Sequence, residues 1–164
     1  MFQRIAVIAL VLAAIGITAY VVGCAGKPET DAERLARWTA GNFTSFELQN
    51  GIGPIKEKLE VGPVNASRAA RGEELFTQKC ATCHQLDGKK TGPALREITK
   101  RRSPEYVLNQ ILNPDQMGKL HPDGKQMVAQ YMQYMTIQGI TMDDARALLD
   151  FLRSEADKAP QAAK

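Results

Sequence analysis

Apolar positions follow three different patterns along this chain. Ile5 to Val22 is an uncharged, almost unbroken apolar run behind Arg4, and at about 18 residues it sits at the lower limit for a bilayer-spanning helix. Between Leu35 and Val64 the apolar residues Trp38, Phe43, Phe46, Leu48, Ile52, Ile55 and Leu59 are interrupted by Asn50-Gly51, Gly53-Pro54 and Gly62-Pro63. Such pairs break regular structure, so this stretch reads as an irregular arm that packs on a larger domain. From Asn65 onward the spacing is helical. Asn65 or Ser67 caps a helix through Lys79, with Ala69, Gly72, Leu75 and Phe76 on one face. A second helix starts behind Ser103-Pro104, carries Tyr106, Val107, Gln110 and Ile111, and stops at Asn113-Pro114. A third follows Pro122 with Met127, Val128, Tyr131 and Met132. The last opens with Thr141-Met142-Asp143-Asp144, a capping-box-like start, and repeats Ala145, Leu148, Leu149 and Leu152 at i, i+3, i+4 and i+7. Alternating apolar and polar runs of strand length are missing, and the fold class expected is all-α.

These patterns divide the chain into residues 1–23, an export signal; 24–64, a spacer followed by the packing arm; 65–157, the domain; and 158–164, a flexible tail. The order of Met1 to Arg4 and the apolar run is that of a secretory signal. Val21-Val22-Gly23-Cys24 resembles the lipobox of bacterial lipoproteins, which implies cleavage before Cys24 and a lipid on that residue. The alternative keeps the run as an uncleaved anchor helix. Either way the domain lies in the cell envelope, on the periplasmic or outer side of the cytoplasmic membrane and tethered to it; two or more acyl chains hold such a tether stably where one would not.

Composition narrows the function classes. Of 164 residues, 24% are charged and the net charge is only +3. That balance excludes a disordered chain and speaks against nucleic acid as a partner. The soluble part, about 140 residues, is too short for a two-domain enzyme. Of three cysteines, two remain after Cys24, and they stand close together. Two are too few for a disulfide framework.

Those two, with one of the chain's two histidines, form Cys80-Ala81-Thr82-Cys83-His84. C-x-x-C-H is the c-type haem attachment motif: two thiols one helical turn apart reach the two vinyl groups of one haem, and the adjacent imidazole lies beneath the iron. Other readings of the residues are weaker. A zinc site needs four ligands, and only His121 remains outside the motif. A thioredoxin-like dithiol wants a strand before it, where here a capped helix stands. A structural disulfide would close too small a ring to stabilise much.

Residues 65–157 resemble the class I cytochromes c. Gly72 and Phe76 match that family's Gly-x-x-x-aromatic on the first helix, and Leu148, Phe151 and Leu152 match the apolar last helix that crosses it. Thr91-Gly92-Pro93-Ala94-Leu95 is similar to the family's Gly-Pro segment, which implies that the Pro93 carbonyl orients His84. In the family the axial methionine precedes an apolar residue by five positions and a helix cap by six, which fits Met135, Ile140 and Thr141, although Thr136 stands where the family carries proline. Met132, Met117 and His121 remain alternative distal ligands; Met127 and Met132 follow a helical spacing that suits core packing, and Met142 stands at the first turn of the last helix.

The resemblance implies one covalent haem c per chain, with Cys80, Cys83, His84, Pro93 and Met135 as its binding residues and His84 and Met135 on the iron. Two axial ligands leave no open position, so the expected function is electron transfer and not enzyme catalysis. Lys89, Lys90, Arg96, Lys100, Arg101 and Arg102 form a basic segment opposed only by Glu97, suited to steering transient redox partners with acidic surfaces. The stretch Phe46 to Ile55 is similar to the arm of mono-haem cytochromes that accompany nitrous oxide reductases, which implies delivery of electrons to that enzyme. A fixed haem subunit of a membrane complex and a five-coordinate haem enzyme or sensor are the rival readings.

Overall fold

A computed structural model of the chain describes residues 43–158. The signal run, Cys24, the spacer and all of the tail after Lys158 lie outside the described residues. Every regular element among the described residues is helical, and none of these helices is long and apolar enough to cross a membrane.

Chain order gives α1 (Ser45–Asn50), α2 (Ala66–Leu75) running into a π-helical turn (Phe76–Cys80), α3 (Ile98–Arg101), α4 (Pro104–Leu112), α5 (Pro114–Leu120), α6 (Pro122–Tyr131) and α7 (Met142–Ala156). Local chemistry sets most of the starts. Asn65 accepts from the Arg68 N–H and caps α2, and Ser103 does the same for α4 through Tyr106. Thr141 and Asp144 form a reciprocal capping box on α7.

Two sequence expectations need correction. The arm is not wholly irregular: Thr44 and Glu47 close a capping box that starts α1, and Gly51 at φ 77° ends it. A short S/T-x-x-E signature was outweighed by the Gly and Pro pairs behind it. Asn113-Pro114 ends α4 but also begins α5, because proline at the first helical position gives up only an N–H that has no partner there.

The core forms where α2 and α7 cross, with α4 laid against α7. Phe76, Val107, Leu108, Ala145, Leu148, Leu149, Phe151 and Leu152 are buried together. The crossing is close because of Gly72: a Cβ there would lie 2.0 Å from the Ala147 carbonyl oxygen. Phe76 and Phe151 meet with ring centroids 5.3 Å apart. Salt bridges Arg68–Asp150 and Arg71–Asp144, both 2.6 Å, clasp the same pair of helices at its rim. On the far side of α4 a second cluster of Ile52, Tyr106 and Met117, with Phe43 against it, holds the arm.

Candidate haem site

The π-helical turn delivers the motif. One extra residue in the turn from Phe76 to Cys80 lets the Ala81 N–H reach the Phe76 carbonyl; such bulges recur at functional sites because they re-aim side chains without ending the helix. The chain then tightens: the N–H groups of Cys83 and His84 both donate to the Cys80 carbonyl, at 3.0 and 2.9 Å. Cys80 and Cys83 are free thiols, the first partly buried and the second exposed. Burial, with Cys83 beside it, pushes the Cys80 thiol up to about 11 before any haem is attached.

His84 is fixed from one side. Its Nδ1 lies 3.0 Å from the Pro93 carbonyl oxygen. A carbonyl only accepts, so Nδ1 carries the proton and Nε2 keeps its lone pair free for a metal. The Gly92 N–H donates to the Cys83 carbonyl at 2.8 Å, which ties this loop to the motif. Glycine is required there: a Cβ on residue 92 would come within 2.4 Å of His84 Cε1.

Six methionines occur in the chain, five of them among the described residues, and their surroundings differ. Met117 is fully buried, and its Sδ accepts from the Ile52 N–H at 3.2 Å. Met127 lies within α6 and Met142 at the first turn of α7. Met132 ends α6 in a left-handed conformation (φ 52°) and is 85% exposed, so it is not the core filler its helical spacing suggested. Met135 sits partly buried in the segment between α6 and α7, and Gln110 Nε2 of α4 approaches its Sδ at 3.6 Å. His121 is fully buried elsewhere. Its Nδ1 accepts from the Asp123 N–H at 3.2 Å, so its Nε2 is protonated and donates to the Glu47 carbonyl at 3.0 Å. Both ring nitrogens are thereby committed to the fold, between the rings of Phe43 and Tyr106.

The basic segment divides. Arg96 is buried, held by Asp87 at 2.8 Å and by Glu155 of α7, and belongs to the scaffold and not to a steering surface. Arg102 stacks over Tyr106 and pairs with Asp123 at 2.6 Å. Lys89, Lys90, Lys100 and Arg101 are exposed, with Lys89 over the Tyr131 ring at 4.9 Å. The ion-pair role of Arg96 was hidden in sequence because Glu155 lies 59 positions away.

The donor set suits haem c. Two thiols in one turn, an imidazole whose second nitrogen is already engaged, and a thioether on a separate segment are soft and borderline donors of the kind that hold haem iron. An all-helical domain of this size with such a site is a small covalent-haem electron-transfer protein. Comparison with known proteins makes this specific. The cytochrome c family model matches residues 69–156. Cytochrome c from Rhodothermus marinus is 42% identical, with 68% of this chain and 96% of that one covered and a TM-score of 0.62. An engineered cytochrome c from the same organism, Rma TDE, is 41% identical over 68% of this chain and 97% of its own, with a TM-score of 0.64. That engineered protein has also been solved bound to a carbene intermediate, with a TM-score of 0.61 to this chain. No curated protein sequence matches. The chain belongs to the cytochrome c family; it carries covalently bound haem c and acts as a haem electron-transfer protein.

Proposed function

We propose that the protein is a membrane-tethered mono-haem cytochrome c that passes single electrons between respiratory partners on the outer side of the cytoplasmic membrane, with a nitrous oxide reductase as acceptor. Cys80 and Cys83 would hold the haem through their thiols, His84, oriented by Pro93, would give its iron an imidazole, and Met135 would give it a thioether. Bound there, the haem would supply a one-electron couple, and thioether ligation would favour its ferrous form. With both donors supplied by this chain, no exchange of ligands would be needed when the electron arrives or leaves. One observation carries the reading: His84 has one nitrogen spent on Pro93 at 3.0 Å and the other free.

The choice of Met135 rests on its resemblance to the family's spacing before Ile140 and Thr141, and its placement agrees with that choice. Met117 and His121 are consumed by the arm, Met132 is exposed, and Met135 is partly buried with its sulfur turned toward α4. A fixed subunit would need the apolar arm as a docking surface, and Ile52 and Ile55 of that arm are buried within this same chain. Anchoring follows from Val21-Val22-Gly23-Cys24, and the exposed Lys89, Lys90, Lys100 and Arg101 suit an acidic partner.

The test is spectroscopic. Oxidised protein is expected to show a near-red methionine-to-iron band and slow carbon monoxide binding after reduction, and Met135→Ala is expected to lose the band, lower the potential and bind carbon monoxide fast. A band that survives in Met135→Ala moves the assignment to Met132, and wild type without a band replaces carrier by ligand-binding haem protein. The mass of the mature protein decides the anchor: a lipidated Cys24 terminus supports the tether, and an intact Met1 with unmodified Cys24 refutes lipidation.

A further inference from the structure

Asn109 and Gln110 are consecutive on α4 and serve opposite neighbours. Asn109 is fully buried, and its side chain is saturated by the arm: Oδ1 accepts from the Ile55 N–H at 2.9 Å, and Nδ2 faces the carbonyl oxygens of Asn50, Ile55 and Gly51 at 3.0, 3.0 and 3.2 Å. The clasp extends along the arm. Glu105 accepts from the Leu59 N–H at 2.7 Å, Met117 from Ile52, and His121 donates to Glu47. Side chains of α4, α5 and the α6 cap thus hold backbone groups from residue 47 to residue 59. These seven arm-directed hydrogen bonds, each requiring a defined backbone path, describe a docked strap and not a casual surface coil.

The next residue in each helix meets the segment that bears Met135. Gln110, one step and about 100° around α4 from Asn109, directs Nε2 to Met135 Sδ at 3.6 Å. Gly118, one step after Met117, lies against Tyr134: a Cβ there would be 3.0 Å from the Tyr134 ring. Residues 133–140 have no regular secondary structure, and Met132, Tyr134 and Ile137 are largely exposed. A segment with so few buried contacts sits at the low-stability end of the fold, and its position depends on the helices it leans on. α4 and α5 therefore stand between the arm and the distal segment.

We infer that the arm is a positioning element for the distal thioether: docked on Asn109 and Met117, it holds Gln110 and Gly118 where they keep Met135 in place. The inference rests on Met135 being the distal ligand. Gln110 is a positioning residue that acts through Met135. A thioether ligand is weak, so the fraction of molecules in which it has let go is set by how well its segment is held. An external ligand that needs the same position binds in proportion to that fraction.

Imidazole is the probe, titrated into the oxidised full-length holoprotein. In Gly53→Ala the new Cβ would fall 2.3 Å from Asn109 Oδ1, so the Asn109 side chain or the strap must shift, and either loosens the clasp. Gly53→Ala is expected to raise apparent imidazole affinity by about tenfold, in the usual range of coupling between sites, and to weaken the near-red band. Gln110→Leu is expected to act in the same direction with the arm still docked. A Gly53→Ala protein whose arm is cut readily by protease between residues 43 and 61, yet binds imidazole within about twofold of wild type, overturns the inference. Wild type gives a second measurement that needs no variant. The amide protons of Ile52, Ile55 and Leu59 and the near-red band are expected to be lost at one denaturant midpoint; exchange of these protons at lower denaturant with the band intact overturns the coupling. Failure of the ligand assignment is separate, because it shows as a band retained in Met135→Ala.

Discussion

The Pro93 carbonyl oxygen lies 3.0 Å from Nδ1 of His84, and that single contact decides which imidazole nitrogen is free. Gly92 permits it by leaving no Cβ between the loop and the ring. A hydrogen-bonded Nδ1–H also makes the opposite nitrogen a better donor and fixes the ring plane.

Gly92→Ala is therefore expected to displace His84, since the added carbon would come 2.4 Å from Cε1. Covalent attachment through Cys80 and Cys83 should persist, while the Soret band shifts and the potential changes. A variant with wild-type spectrum and potential would show that the loop yields without moving the ring.

Gly72→Ala tests the helix crossing. Its methyl would fall 2.0 Å from the Ala147 carbonyl, a backbone atom that cannot swing aside. Overpacking of this kind costs about 1–3 kcal/mol, read as a lowered denaturant midpoint of the holoprotein. Gly62→Ala is a useful contrast for steric crowding, because nothing lies within 4 Å of that site, although its φ of 59° adds backbone strain of its own.

His121→Ala separates a structural histidine from a ligand. It removes the bond to Glu47 and the ring between Phe43 and Tyr106, at a cost of about 2 kcal/mol or more. The iron should keep histidine and methionine ligation at low denaturant, with a near-red band weakened at most as far as in Gly53→Ala, because His121 is one of several groups that hold the arm. A wild type that lacks the near-red band and turns high-spin only in His121→Ala would place His121 on the iron.

Asp144 links the two crossing helices to pH. The Thr141 hydroxyl, then Arg71, holds its carboxyl below the ordinary value of 3.8. A carboxyl depressed in the folded state adds stability above its unfolded value, and that contribution disappears as pH falls through the folded one. Asp144→Asn should thus lower the denaturant midpoint at neutral pH, and its gap from wild type should close as pH drops below the ordinary value. A gap constant with pH would mean that the carboxyl charge contributes nothing.

Much of the domain is legible residue by residue. Thr141 and Asp144, Ser103 and Pro104, and Asn65 are local signals that act within one turn, and each starts the helix expected of it. Capping depends only on groups three or four residues apart, so sequence suffices. Cys80, Cys83 and His84 are likewise a local constellation, and their spacing alone names the cofactor. The α1 helix was missed where Gly and Pro signals competed with a capping box, and Arg96 was misplaced on the surface because its partners Asp87 and Glu155 meet only through folding.

By itself, then, the sequence determines the capped helices α2, α4, α6 and α7 and the C-x-x-C-H spacing that calls for covalent haem, all of which depend on neighbours along the chain. Tertiary structure decides the rest. Which nitrogen of His84 is free depends on Pro93 across a loop. That His121 and Met117 serve the arm, while Met135 lies by Gln110, depends on contacts between residues 25 to 74 positions apart. A histidine or methionine carries the same donor atoms wherever it stands, and only the packing of α4, α5 and α6 determines what each of those atoms meets.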